Sequence, residues 1–244
     1  MRLLSCEGLQ KHYGGVTAVD GVSLAVEEQE TLGIIGSNGA GKTTLFNILT
    51  GFEKPDGGTI TLSRGGRALP VQGASAFKLA RMGVGRTFQN LRLFEQMTVR
   101  ENIRTAILSL NCTNLNIDNL LSLLGLTERA DTLVSSLPYG VRKKTELARA
   151  LVCACGPENS CRLLFLDEPA AGLTTAEAYE LAALLRDVKA RYRLTLVLIE
   201  HHMAFLESLC GKLCAMDEGR VIACGTPGEV LTGAAVQRAI FGEG

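Results

Sequence analysis

Gly36-Ser37-Asn38-Gly39-Ala40-Gly41-Lys42-Thr43 is the stretch whose reading decides the fold. It fits the pattern of Gly, four residues, Gly-Lys and Ser or Thr, in which backbone N–H groups and the N-terminus of the next helix surround a polyphosphate. Glycines let that backbone wrap closely, Lys42 reaches the β and γ phosphates, and the Thr43 hydroxyl ligates magnesium. Its context agrees. Thr31 to Ile35 is a short apolar strand running into the loop, and Thr43-Thr44-Leu45-Phe46-Asn47-Ile48-Leu49 beyond it has helical apolar spacing.

Upstream, Leu3 to Leu9 and Val22 to Glu27 are extended candidates separated by the turn-like Tyr13-Gly14-Gly15, which predicts a small antiparallel sheet. Downstream, Thr98 to about Ala154 reads as almost entirely helical, with Leu-rich segments at Ile103 to Leu110 and Leu120 to Leu126. Strands return at Arg162 to Leu166, Leu194 to Ile199 and Leu213 to Met216, with a helix at about Ala176 to Tyr192. Alternating strands and helices predict a parallel α/β sheet, here interrupted by a helical insert.

Composition narrows the function classes. The chain has 244 residues, 46% hydrophobic and 5% aromatic, with 25 basic and 25 acidic side chains. That is a globular composition of a size that can bury its own core. Zero formal net charge supplies no general field for nucleic acid or an anionic membrane, so no nucleic-acid partner is expected. The basic run Arg142 to Lys144 reads as a solvated helical face. Apolar runs such as Leu163 to Leu166 fall far short of the ~20 residues of a spanning helix. Glu7 stands where a secretory leader would be apolar, so export of the chain is not expected. The eight cysteines are expected as reduced, buried thiols. Cys153, Cys155 and Cys161, around the loop Gly156-Pro157-Glu158-Asn159, and the pair Cys210 and Cys214 lack zinc-ligand spacing.

Arg162-Leu163-Leu164-Phe165-Leu166-Asp167-Glu168 is a buried strand ending in two carboxylates, at the sheet edge where ligands bind. Asp167 can hold magnesium, directly or through water, and Glu168 can act as a general base toward an attacking water. The alternative is two acids capping the next turn. The phosphate loop upstream favours chemistry.

With these residues in place, the chain resembles the ATP-binding cassette (ABC) ATPases that energise membrane transporters, over nearly its whole length. The resemblance implies a P-loop NTPase, RecA-like core with an N-terminal antiparallel β subdomain and an α-helical subdomain insert. One domain would span 1–244, with the nucleotide-binding core and β subdomain at about 1–90 and 155–244 and the signature-bearing helical part at 91–154. ATP and Mg2+ are the implied ligands. Tyr13 matches the aromatic that stacks on adenine, and Ser37, Asn38, Gly39, Ala40, Gly41, Lys42, Thr43 and Thr44 match the nucleotide loop. Gln89, in Gly85-Arg86-Thr87-Phe88-Gln89-Asn90, matches the glutamine that contacts magnesium and the attacking water and reports to the membrane subunits. His201 matches the switch histidine that contacts γ-phosphate. His202 is expected to be exposed at a helix start, with an exchange of the two roles conceivable.

The family's Leu-Ser-Gly-Gly-Gln signature reads here as Leu137-Pro138-Tyr139-Gly140-Val141, so Pro138 stands where Ser would bond γ-phosphate. Gly140 and the amides opening the following helix remain to hold an oxyanion. Ala171-Gly172-Leu173 matches the loop by which two cassettes sense each other, with Ala-Gly in place of Ser-Ala. These departures resemble the branch serving importers of branched-chain amino acids and related small amides. So do Gly225-Thr226-Pro227-Gly228-Glu229-Val230 and the ending Ala239-Ile240-Phe241-Gly242-Glu243. The implied assembly is a head-to-tail ATP-dependent dimer with the same or a homologous chain. Separate transmembrane permease subunits and an extracytoplasmic substrate-binding protein would complete it, at the cytoplasmic face of the cell membrane. The alternatives are the ATPase of a lipopolysaccharide-type exporter and a non-transport cassette acting on DNA or ribosomes. The former would be expected to keep Ser-Gly-Gly, and the latter typically carries two cassettes, a coiled-coil insert or a basic arm.

Overall fold

Two strands lead into a third that carries the phosphate loop: β1 (Arg2–Tyr13), β2 (Val16–Glu27) and β3 (Thr31–Gly36), followed by helix α1 (Lys42–Leu49). The computed structural model describes residues 1–112, 115–158 and 160–241; Asn159, Gly242 and Glu243 of the motifs above lie outside the described residues. Strands β4 (Gly57–Arg64) and β5 (Arg67–Pro70) join β1 and β2 in an antiparallel sheet of order β2-β1-β4-β5. Sequence reading missed this second hairpin. Its signal was present: Thr59-Ile60-Thr61-Leu62 alternates with Ile60 and Leu62 buried, and Gly65-Gly66 supplies the two positive-φ residues (58° and 77°) of a tight turn.

After α2 (Ala76–Arg81), the remaining strands are β6 (Val84–Arg86), β7 (Leu163–Asp167), β8 (Thr195–Ile199), β9 (Lys212–Asp217) and β10 (Arg220–Gly225). With β3 they form a six-stranded sheet of order β10-β9-β3-β8-β7-β6. All its pairings are parallel except β9 with β10, an antiparallel edge hairpin that the sequence reading also omitted. Strands β3, β7 and β8 are buried throughout, as sheets covered on both faces require. Alternation along them feeds two cores. Leu164, Leu166, Leu196 and Leu198 face one cluster with the large helices, while Leu163, Phe165, Val197 and Ile199 face another with α1 and the antiparallel sheet.

The expected helical stretch is α3 (Val99–Leu110), α4 (Ile117–Leu123) and α5 (Tyr139–Cys155), broken by 3-10 turns at Thr127–Arg129 and Val134–Ser136. Helix α6 (Thr175–Tyr192) follows β7, α7 (Met203–Leu209) follows β8, and α8 (Pro227–Leu231) and α9 (Ala234–Phe241) close the described chain. Thr98 with Glu101, Thr174 with Glu177 and Thr226 with Glu229 form reciprocal capping boxes that fix the starts of α3, α6 and α8.

One expectation about the cysteines is corrected. Cys214 is disulfide-bonded to Cys224, because the two are direct partners across β9 and β10 with Cα atoms 4.2 Å apart. Cys6, Cys112, Cys153, Cys155, Cys161 and Cys210 are free thiols. Burial pushes Cys6, Cys155 and Cys210 up to about 12, which keeps them protonated and unreactive. Among the described residues no helix is long and apolar enough to cross a membrane, and no cluster of three or more His, Cys, Asp or Glu could hold a metal.

The contact between α1 and β7 is testable. Phe165 in β7 is fully buried and meets Phe46 of α1 edge-on, with ring centroids 5.1 Å apart. Phe165→Ala should lower unfolding stability by about 3–5 kcal/mol, read from the urea midpoint.

Candidate functional site

The loop after β3 is shaped by backbone geometry that a side chain would obstruct. Gly41 has φ 91°, and a Cβ on it would lie 2.1 Å from the carbonyl oxygen of Ala18. Lys42, the first residue of α1, is buried and folds back so that Nζ donates to the carbonyls of Gly36 and Ser37, each at 2.8 Å. Ser37 Oγ lies 3.4 Å from Asp217 Oδ1, tying the loop to the end of β9. Asn38, Gly39 and Thr43 are exposed, Ala40 is buried, and Thr44 is half-buried. Tyr13 is 44% exposed. Desolvation and a hydrogen bond with Glu53 push its hydroxyl up to about 12, against an opposing bond with Thr44.

The strand-end acids sit beside this loop. Glu168 adopts φ 47°, a left-handed conformation that costs a non-glycine residue energy and that clusters at functional sites. Gln89 Nε2 donates to Glu168 Oε2 at 2.9 Å, and His201 Nε2 lies 3.4 Å from Glu168 Oε1. Two residues separated by 112 positions thus meet on one carboxylate. His201, not His202, faces it. His202 is half-buried and caps α7, with Nδ1 accepting the Phe205 N–H at 3.1 Å.

Pro138 is the N-cap of α5 and supplies no side-chain cap, so the amides of the first turn have no side-chain cap partner. Tyr139 is 43% exposed, and a Cβ on Gly140 would meet open space. Gly172 has φ 76°, and a Cβ there would approach Tyr139 Cε1 to 3.3 Å. Ala171 and Leu173 flank it, half-buried.

The family model described as ABC transporter matches residues 19–171, from β2 through the phosphate loop and the signature to the loop after Glu168. The chain belongs to that family. Among curated relatives it is 40% identical, over a 260-residue alignment, to the high-affinity branched-chain amino acid transport ATP-binding protein LivG of Salmonella typhimurium. That alignment covers 99% of this chain and 98% of the relative. The corresponding protein BraF of Pseudomonas aeruginosa is 37% identical over 264 residues, with the same coverage of both chains. Among solved structures, the ADP conformation of an ATP-binding cassette from an ABC transporter superposes with TM-score 0.84 at 29% identity, covering 100% of both chains. The expected fold, a P-loop NTPase core with β and helical parts, is therefore that of the ABC ATPases. The chain is an ATPase subunit of a transporter.

Several residues of this cassette site were not singled out from sequence. Asp167 is held by Arg86, whose Nη2 lies 3.0 Å from Oδ2, and both side chains are only 5% exposed. Arg86 also donates to Asn47 and Thr50 of α1 and its C-cap. Burial pushes the Asp167 carboxyl up, and the bonded Arg86 pulls it back. Burial likewise lowers Lys42, opposed by the charges of Glu168 and Asp167. Glu200 is buried, and its two oxygens accept the N–H groups of Ala170, His201 and His202. It therefore anchors both the backbone of His201 and the loop beyond Glu168. The run Ile199-Glu200-His201 was visible in the sequence, but an acid between a strand and a histidine carries no signal of its own.

The Arg86 pair generates a stability test. Arg86→Met leaves a buried carboxylate without its cation and should cost about 3–5 kcal/mol in chemical denaturation. Adding Asp167→Asn, which removes the orphaned charge, should recover at least half of that loss.

Proposed function

We propose that this chain hydrolyses ATP to drive uptake of branched-chain amino acids or related small amides through separate membrane subunits. The observation that carries this reading is the meeting of Gln89 and His201 on Glu168, beside a phosphate loop. The likeness to LivG and BraF supports the substrate class.

In this reading Lys42 leaves the Gly36 and Ser37 carbonyls to neutralise the β and γ phosphates, while the amides of Ser37 to Thr44 hold their oxygens. Tyr13 stacks its open ring on adenine. Thr43, Asp167 and Gln89 would hold Mg2+, which when bound neutralises charge on the phosphate oxygens. A hydroxyl, one carboxylate and one amide fit an ion that keeps waters and phosphate oxygens rather than an all-protein cage. Glu168 takes the proton of the attacking water as its oxygen bonds to the γ phosphorus. The bond to the β-bridging oxygen breaks, leaving ADP and phosphate. Gln89 orients the water, and His201 contacts the γ-phosphate.

The second nucleotide-binding chain places its own α5 start over this ATP, and this chain returns the contact. Pro138 leaves the first-turn amides for the phosphate, where a helix N-terminus favours an anion. Ala171, Gly172 and Leu173 meet the partner's equivalent loop. The permease subunits dock in the cleft of about 300 Å³ lined by Phe52, Arg86, Phe88, Arg92, Glu146 and Arg149, beside the glutamine loop. We place the assembly at the cytoplasmic face of the membrane, with segment 91–154 as the signature-bearing subdomain and a substrate-binding protein on the far side.

Glu168→Gln should keep ATP affinity and lose roughly 10²–10⁴-fold in turnover, since the amide preserves shape but accepts no proton. In cells, the same variant should abolish uptake of labelled leucine, isoleucine and valine; uptake equal to wild type would refute the transport reading. Gly140→Asp should bind ATP as a monomer but fail to dimerise in sedimentation, because the added carboxylate meets the partner's phosphate and not this chain's own fold.

A further inference from the structure

One face of α5 reaches both loops that bring Gln89 and Glu168 together. Lys143 Nζ donates to three backbone carbonyls, those of Glu168 at 3.2 Å, Pro169 at 2.8 Å and Ala171 at 2.6 Å. An ammonium has three donors, and here each has a partner on the segment that begins with Glu168. One turn further on, the buried Glu146 accepts two backbone N–H groups on Oε1, from Phe88 at 3.4 Å and Arg92 at 3.2 Å. Those amides bracket Gln89. Another turn on, Arg149 donates to the carbonyl of Arg92. Positions 143, 146 and 149 recur at the three-residue spacing that places side chains on one helix face.

The arrangement does something that packing alone would not require. Glu168 is held in a left-handed backbone conformation, which persists only where surrounding contacts over-determine it. The Lys143 bond to the Glu168 carbonyl is one such contact, and the Pro169 and Ala171 bonds hold the turn that follows. Burial lowers the Lys143 ammonium, opposed by the charges of Glu200, Glu146 and Glu168. Lys143 carries no role in the site described above, and Glu146 enters it only as part of the lining of the cleft beside the glutamine loop.

We propose that Lys143 and Glu146 are positioning residues for hydrolysis, fastening the Glu168 and Gln89 loops to the signature helix so that the two side chains meet at the attacking water. The proposal rests on the reading of Glu168 as base and Gln89 as water-orienting group. Lys143 acts through the backbone of Glu168, and Glu146 through the amides on either side of Gln89.

Steady-state ATP hydrolysis by the full chain, with ATP binding measured separately by titration, tests this. Lys143→Met, close in length but without donors, should lower kcat about 10²-fold, the cost of a misplacement near 1 Å, with KM for ATP within about twofold of wild type. Lys143→Arg, which restores donors to the carbonyls, should recover most of the lost kcat. Glu146→Leu should lower kcat in the same way, and Glu146→Gln, which keeps a carbonyl acceptor, should spare it. Wild-type kcat in Lys143→Met, or a parallel loss of ATP affinity and kcat that Lys143→Arg does not repair, would overturn the proposal. Glu168→Gln run alongside separates the two readings. Normal turnover there removes the base assignment itself, whereas loss there with normal kcat in Lys143→Met removes only the positioning role.

Discussion

Parallel pairing of β7 with β8, in the register Asp167 opposite Ile199, is the constraint on which the site depends. Strands that run side by side in one direction release their following loops at one edge, and β3 pairs with β8 in the same sense. The phosphate loop, the Asp167-Glu168 pair and the Glu200-His201 turn therefore emerge together. Segments far apart in the chain become neighbours without any long-range steering beyond the sheet itself. The apolar alternation of β3, β7 and β8, feeding a core on each face, is what holds that edge in register.

Charges buried at this edge are stabilised mainly by backbone groups and by one another. Glu200 accepts three N–H groups, Lys143 gives to three carbonyls, and Arg86 divides its donors between Asp167, Asn47 and Thr50. Removing a buried ion from water costs several kcal/mol, and such bonds are what offset it. They also give the loops at this edge defined shapes.

Much of this was legible in the sequence because some motifs carry their own geometry. The phosphate loop announced a strand, a tight turn and a helix, and β3 and α1 lie where it placed them. The carboxylates Asp167 and Glu168 ended a continuous apolar run, which is how a buried parallel strand reads. Other features were carried by weaker signals. The hairpin β4–β5 alternates over few residues, and β6 is only three residues long, set by its pairing with β7. The Cys214–Cys224 bridge depends on cross-strand register, which cysteine spacing does not encode. The ties of Arg86, Glu200, Lys143 and Glu146 are tertiary. Each residue type is common on helix faces and strand ends, and only the fold shows what it touches.

Two departures from the family's usual wording occupy a single place in the molecule. The ring of Tyr139 fills the space beside Gly172, and the backbone there is left-handed, so that position accepts no Cβ without displacing the ring. Tyr139 lies at the start of α5 and Gly172 in the loop beyond Glu168, more than thirty residues away, yet the two are spatial neighbours. Natural drift or engineering that restored a serine-glycine pair to the signature alone would open a gap against the loop, and restoring the usual alanine alone would press on the tyrosine. In this chain the tyrosine ring and the glycine share one space, so a change at either position is felt at the other.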